Sequence, residues 1–354
     1  MPLPIAFIYS LLFFLSFSEV VIAASPALTG DNVLVLYKAS DEQSKQVADY
    51  YSEQRHIPKS QLVAIDIKGS PNIITSTHFT NINKQLAKYL KPNIKVIVLA
   101  WHAPYRVECM SITSAFTLGF DQKYCSKKSS FSSKCSATAI SPFYNAPNEK
   151  LWQENSLRLT MMLSGKTFQQ AKSLIDRGVS SDNTQPSGRG FLVRTSDAAR
   201  STRWPIFKQL VEYWPKGKGV DLHYLDERFL KGDTLIKNKK DVLFYLTGAV
   251  HVPKIDTNSY LPGAIADHLT SYGGAGISEK GQMKAFRWLE AGVTGSYGTV
   301  VEPCNYPAKF SDPQILIPSY ISGENLIEAY WKSVQQPGEG LFIGEPLACP
   351  WCSK

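Results

Sequence analysis

Two patterns of apolar positions alternate along the first third of the chain. Short continuous apolar runs, typical of buried strands, cover residues 32–37, 62–65 and 95–101. Between these runs, apolar residues recur at helical spacing across residues 41–55 and 82–90. Because strands alternate with helices, the pattern predicts a parallel sheet with helices packed on its faces.

The same alternation resumes in the second half of the chain. Apolar runs at residues 191–193, 220–225 and 241–246 predict strands, and residues 197–213 have helical spacing. The run after Gly263 is too short for periodicity to separate a strand from a helix. Beyond it the pattern predicts a helix, an extended segment, a second helix and a last strand, at residues 282–290, 294–301, 324–334 and 341–343.

The middle of the chain has a different composition. Residues 105–156 are rich in Ser, Lys, Pro and Asn, so we predict an irregular excursion, and helical spacing returns at residues 157–177. The predicted fold class is therefore α/β, with two side-by-side parallel-sheet halves at residues 28–120 and 186–350. A partly helical connector with a Cys-containing loop, residues 121–185, joins them.

The first 24 residues are typical of a secretory signal peptide. A mostly apolar run ends in small residues suited to cleavage, although no Lys or Arg precedes it. The alternative is an uncleaved anchor, but the run is interrupted by Ser and Glu, and spanning a bilayer takes about 20 apolar residues. We therefore expect a periplasmic or secreted protein whose mature chain does not span a membrane.

Because exported proteins fold in oxidising compartments, we expect the cysteines to form disulfides. Their number is even, and they are Cys109, Cys125, Cys135, Cys304, Cys349 and Cys352. The first pair we expect is Cys125 with Cys135, because both flank one short loop. Cys349 and Cys352 have redox-motif spacing, but only two residues follow them, so we expect a disulfide there too.

The charge of the chain excludes some functions and leaves others open. The formal net charge is +8, but Lys and Arg are spread along the sequence. We therefore expect no nucleic-acid partner, while an anionic envelope partner remains open. The sequence contains no phosphate-binding loop, dinucleotide fingerprint, zinc-protease helix or nucleophile elbow, so we expect no cofactor.

Candidate chemistry gathers in the last third of the chain, close to predicted strands. Loops at the carboxyl ends of strands are where α/β proteins bind ligands. The candidate binding residues are Thr247, Gly248, Asp267, Thr270, Gly273, Gly274, Glu302 and Asn305. A purely structural role is equally open for Asp267 and Ser271, which can brace the Gly273-Gly274 turn.

A hydrolytic site would need a base and a nucleophile in contact. The candidate bases are His251 and His268, and the candidate nucleophiles are Ser271 and Cys304. Backbone N–H groups near Gly273 would serve as oxyanion donors. The competing interpretation of Cys304 is a disulfide, to Cys349 or Cys109. A weaker alternative is a metal site built from Asp267, His268 and Glu302.

Several sequence blocks resemble a family of exported bacterial conserved hypothetical proteins. The blocks are ADHLTSYGG at 266–274, GSYGTVVEPCN at 295–305, EAYWKSV at 328–334 and GEPLA at 344–348, with VADYYSEQRHIP at 47–58. The resemblance covers essentially the whole mature chain. It implies a family and an exported location, and it carries no activity.

A more distant resemblance is to the gingipain and caspase-like cysteine peptidases, which have two α/β halves with catalysis in the second. It implies a catalytic His near Gly248 and a catalytic Cys near Ser271, and Gly344-Glu345-Pro346 is similar to the closing segment. Both expected catalytic residues are replaced. We therefore expect a peptidase-like scaffold that binds an extracellular peptide or an envelope glycan, with an active cysteine- or serine-type hydrolase as the alternative.

Overall fold

The computed structural model describes residues 28–67, 71–126, 136–147, 151, 157–217, 219–229 and 236–352. The predicted signal peptide and Cys135 lie outside these residues. Within them, no helix combines the length and the apolar character that crossing a bilayer requires.

The first part of the chain alternates strands and helices, as the pattern predicts. The strands are β1 (Val33–Lys38), β2 (Leu62–Ile65), β3 (Ile73–Ile74), β4 (Val96–Leu99), β5 (Arg106–Val107), β6 (Met110–Ser111) and β7 (Leu159–Met162). The helices are α1 (Glu42–Gln54), α2 (Ser76–Leu86), α3 (Ile112–Leu118) and α4 (Phe168–Ser181). Side-chain caps begin several of them: Asp41 accepts from Ser44 N, and Thr167 accepts from Gln170 N.

The second part repeats the alternation. Its strands are β8 (Gly188–Arg194), β9 (Val220–Asp226), β10 (Val242–Gly248), β11 (Tyr260–Leu269), β12 (Gly295–Thr299) and β13 (Gly340–Gly344). Its helices are α5 (Trp204–Tyr213), α6 (Phe286–Glu290), α7 (Pro313–Ile321) and α8 (Leu326–Ser333). The run after Gly263, which periodicity leaves open, is therefore part of a strand.

Ten of the strands form one mostly parallel sheet, in the order β2-β1-β4-β7-β13-β12-β11-β10-β8-β9. The sheet consists of two five-stranded parallel halves. The first half is β2-β1-β4-β7-β13 and the second is β9-β8-β10-β11-β12. When the five strands of each half are counted in chain order, both halves have the spatial order 2-1-3-4-5, which is a doubly wound arrangement. The fifth strands, β13 and β12, pair antiparallel and join the two halves.

The junction between the halves is fully buried. Tyr297 of β12 faces Phe342 of β13, and the Trp331 ring stacks on Phe342 with the ring centroids 4.2 Å apart. One apolar core extends from β1 across this junction to β10. The two predicted halves therefore share one sheet and one core.

A buried polar network fastens the end of β13 to two helices of the first half. Glu345 accepts hydrogen bonds from Tyr51 at 2.7 Å and from Arg55, whose guanidinium also pairs with Asp182. Gly178 of α4 faces the Glu345 side chain so closely that a Cβ there would clash with it. Glu345 of the GEPLA block therefore has a structural role.

Two expectations need correction. Residues 157–177 are not one helix: β7 occupies the start of this stretch and inserts beside β4. All four residues of β7 are buried, so it lacks the alternation that marks a half-exposed strand. The predicted Cys125–Cys135 pair is also wrong, because Cys125 is bonded to Cys109. The Cys349–Cys352 disulfide is confirmed.

Candidate functional site

The carboxyl ends of β8 and β10 form the switch point of the second half, where doubly wound sheets usually bind ligands. Here the loop after β8 fills that place. Thr195 Oγ1 donates to Gly248 O at 2.5 Å, and a Cβ on Gly248 would clash with the carbonyl oxygen of Arg200. Gly248 is therefore needed for close backbone packing, and its position holds no side chain that could act as a base.

Asp267 and Thr247 bind a buried arginine. Arg203 donates to Asp267 Oδ1 and to Thr247 O, both at 2.7 Å. Ser311 donates to the second carboxylate oxygen of Asp267. Arg203 and Asp267 are both fully buried, so the pair ties α5 to β10 and β11 and is closed to a ligand.

His268 belongs to the core of the second half. Trp288 Nε1 donates to its Nδ1 at 3.0 Å, and its Nε2 therefore carries the proton and donates to Met283 O at 3.1 Å. Burial lowers the pKa of His268 to about 3, so the ring is neutral. With both nitrogens engaged, this ring cannot accept a proton from a serine or a cysteine.

The residues after β11 stabilise a turn. Thr270 Oγ1 donates to Gln282 Oε1 at 2.7 Å, and Thr299 Oγ1 donates to the carbonyl oxygens of Thr270 and Ser271 at 3.1 Å. Ser271 is buried, and no hydrogen bond found among the described residues joins its hydroxyl to a histidine. Within the described chain, Ser271 therefore lacks the histidine contact of an activated serine.

The two turn glycines allow strands to approach closely. Gly274 N donates to Thr299 O at 2.9 Å, and Gly273 O accepts from Ala285 N at 2.8 Å. A Cβ on Gly274 would overlap the carbonyl oxygen of Gly298. The Gly274 N–H is therefore already satisfied by the sheet and does not point a free donor at an oxyanion.

Cys304 offers no thiol. It is disulfide-bonded, and because Cys109 and Cys349 have other partners, both pairings expected for it are wrong. Its N–H donates to Glu302 Oε1 at 2.9 Å, and Cys304 and Asn305 have φ of 59° and 57°. Asn305 O accepts from Thr202 Oγ1 at 3.3 Å. These residues shape a tight turn, and Glu302 braces it.

His251 lies elsewhere, exposed on the wall of a cleft between the two halves. Two adjoining cavities of about 160 and 340 Å³ form this cleft and share Lys166, Phe286 and Glu290. The first half contributes the loop after β7 and the first turns of α4. The second half contributes the loop after β10, residues 277–279 and α6.

Ion pairs lie along the cleft. Lys166 of the first half lies 2.7 Å from Glu279 and 2.9 Å from Glu290, both of the second half. Arg287 pairs with Asp256 at 2.8 Å and also with Glu290. Val252, Ile255, Ile277, Met283, Phe286 and Leu289 supply the apolar lining. The cleft thus combines apolar surface with charges of both signs, as small-ligand and peptide sites do.

Few features of the sequence pointed to this cleft. Of the residues selected from sequence, only His251 lines it. Lys166 lies in the segment predicted as a connector, and Lys284 lies in a segment of merely helical character. The one available signal in the sequence was the polar segment between Gly276 and Gly281. In the structure both glycines have φ of 76°, and the loop residues between them include those that line the cleft.

The predicted metal alternative has no counterpart among the described residues: no three His, Cys, Asp or Glu side chains lie together there as a metal site would need. Asp267 and His268 are bound to other protein groups instead, as described above.

No protein-family model and no curated protein matches this chain. A solved structure described as "Structure of Protease" is similar in fold. It is 9% identical over 91% of this chain and 79% of its own length, with a TM-score of 0.49.

Proposed function

We propose that this chain is an exported binding protein with a peptidase-like α/β scaffold, and that a peptide occupies the cleft between its two halves. The observation that carries the proposal is the state of His268. Its two ring nitrogens bond to Trp288 and Met283. Cys304 is disulfide-bonded, so one of the two candidate bases and one of the two candidate nucleophiles are engaged in structure.

The shape of the cleft supports a bound chain segment. It runs over two adjoining cavities, of about 160 and 340 Å³, so a ligand of several residues can lie along it. Apolar side chains line it beside ion pairs, and this mixture suits a peptide, which offers apolar side chains and charged groups together.

A peptide fits better than a glycan. Sugar rings commonly stack on exposed aromatic faces, and the aromatic side chain that lines the cleft, Phe286, is buried in the core. Export is supported by the leader-like first 24 residues and by the two described disulfides, which are typical of oxidising compartments.

A pair of substitutions on one helix tests the site. Ser173 and Ser180 are both exposed on α4, but only Ser173 lines the cleft. We expect the oxidised protein to retain members of a random hexapeptide pool in equilibrium dialysis. Ser173→Trp should reduce the bound amount at least tenfold by filling the cleft, while Ser180→Trp should leave it unchanged. Equal binding by the two variants would place the site elsewhere.

The hydrolase alternative has its own test. The protein is incubated with a fluorophosphonate probe for activated serines and with iodoacetamide for thiols, without reductant. We expect neither Ser271 nor Cys304 to be labelled and no cleavage of denatured casein. Labelling of either residue that disappears in His251→Ala would contradict a binding role.

A further inference from the structure

The charged residues that line the cleft are not evenly matched. Its carboxylates, Asp256, Glu279 and Glu290, all pair with Lys166 or Arg287. The lining cations that have no carboxylate partner among the described residues are Arg177, Lys254 and Lys284. The unmatched charge of the cleft is therefore positive.

Lys284 is the most informative of the three because it is only 8% exposed. The other buried lysines of the described chain are Lys38, Lys309 and Lys332, and each lies next to a carboxylate, Asp41, Glu339 or Glu324. Among the described residues, Lys284 Nζ donates to a single group, the carbonyl oxygen of Tyr272, at 3.1 Å. Burying a lysine without a counter-ion is unfavourable, and proteins rarely do it without a reason.

Burial changes the pKa values of two of these cations. Loss of solvation lowers the pKa of Lys284, and no carboxylate of the described chain opposes the shift. Burial likewise lowers the pKa of Arg177 to about 10, and its guanidinium donates to the carbonyl oxygens of Leu289 and Val293. Both cations would gain from an anion that enters the cleft.

Lys254 is exposed and lines the same larger cavity as Lys284. Its backbone is held at φ 62°, in the left-handed region, at the start of a short turn of helix. A non-glycine residue in this region is uncommon and costs free energy. The loop after β10 therefore holds Lys254 in a specific place at the mouth of the cavity.

We propose that the larger cavity binds a carboxylate group of the peptide ligand, with Lys284 as its buried counter-ion and Lys254 as its counter-ion at the mouth. This inference rests on the proposed function, since it specifies the chemistry of the peptide in the same cleft. The carboxylate can come from the peptide's C-terminus or from an Asp or Glu side chain. A charge-assisted hydrogen bond to Lys284 would replace water that the buried ammonium has lost.

Four hexapeptide pools distinguish these sources. One pool is random with a free C-terminus, one is random but amidated, one has a free C-terminus and lacks Asp and Glu, and one is amidated and lacks both. Bound peptide is measured by mass spectrometry after equilibrium dialysis. We expect the fourth pool to bind at least tenfold less than the first, and the second and third pools to show which carboxylate is recognised.

Lysine variants locate the effect. Lys284→Gln and Lys254→Gln should each weaken binding of the first pool at least tenfold, which corresponds to about 1.4 kcal/mol. Lys208→Gln, an exposed lysine of α5 outside the cleft, should not. Lys254 is exposed, so its variant tests the proposal even if Lys284→Gln folds poorly.

The outcomes separate the two proposals. Equal binding of all four pools, or wild-type binding by Lys254→Gln and Lys284→Gln, would overturn the carboxylate inference and leave peptide binding standing. Absence of binding by every pool would overturn the proposed function itself. Binding of an oligogalacturonate in place of the peptides would overturn the choice of a peptide as ligand.

Discussion

The strand ends of the second half and the cleft between the halves differ in how their polar groups are used. At the strand ends, Asp267, His268 and Thr270 each bind another group of the protein. In the cleft, Lys254 and Lys284 form no ion pair with a carboxylate of the described chain. Reactive residue types near strand ends are therefore evidence of a site only when their side chains are not already bound to other protein groups. In this protein, the charged side chains without an opposite charge line the cleft instead.

The buried pair at the strand ends offers the largest expected effect. Asp267→Ala leaves the Arg203 guanidinium buried without its counter-ion, so we expect the free energy of unfolding to fall by about 3–5 kcal/mol. Urea unfolding measures it. Asp197→Ala removes a carboxylate from the partly exposed pair with Arg200 and should cost less than about 1 kcal/mol. Similar losses in both variants would contradict the structural role of Asp267.

Two buried lysines should respond in opposite ways. Lys309→Met leaves Glu339 buried and unpaired, so we expect a loss of about 3 kcal/mol or more. Lys284→Met removes a cation that has no carboxylate partner in the described part of the chain, so stability should be unchanged or slightly higher. Thermal unfolding of the two variants side by side gives the comparison. A loss of several kcal/mol in Lys284→Met would show that this lysine is needed for folding.

Protonation of His268 should destabilise the protein in acid. Its folded pKa of about 3 lies below the usual 6.5. Between these values the unfolded state binds more protons, so stability is complete above pH 6.5 and falls as the pH decreases toward 3. The expected loss from this residue alone is about 2 kcal/mol by pH 5.

A variant isolates the contribution of His268 from that of the other titrating groups. In His268→Gln, the difference in unfolding free energy between pH 7 and pH 5 should be smaller than in the wild type by about this amount. Chemical denaturation at the two pH values measures it. Identical pH dependence in both proteins would mean that His268 is not the neutral, engaged ring described above.

The smallest expected effect concerns the segment between Gly276 and Gly281. Glu279 is 77% exposed and pairs with Lys166 across the cleft. Glu279→Gln should leave global stability nearly unchanged, because exposed ion pairs contribute little. Hydrogen exchange of residues 276–281 should nevertheless accelerate, since this pair joins the segment to the first half. Exposed Glu53 of α1, changed to Gln, serves as the control and should leave that exchange unaltered.

The sequence predicted the class of the fold well because most strands and helices carry their own pattern. β1, β4 and β10 are apolar runs, and α1 begins at a side-chain cap that the sequence displays. β7 was missed because a short strand buried on both faces has no alternation and stands beside a helix. Local pattern also says nothing about pairing order, so the union of the halves through β12 and β13 could not be foreseen.

The candidate site was predicted poorly for a different reason. Residue type marks a residue as capable of chemistry, but its availability depends on partners distant in sequence. His268 is engaged by Trp288, and Asp267 by Arg203. Lys284 shows the opposite case, because it is buried without a carboxylate partner among the described residues. A single sequence does not show which charged residues lack a partner.

The central position of β13 in the sheet affects the order in which the chain can fold. Until this late strand is in place, β7 and β12 both present an open edge, and unpaired edges invite association with other chains. The first half cannot complete its five strands before β13 is made, and β12 of the second half lacks its neighbour until then. Pairing across so large a sequence separation is slow, so we expect this central sheet junction to close late in folding. Under the proposed export, a chain whose β13 has not yet paired would accordingly remain unfolded enough to pass through a translocation channel.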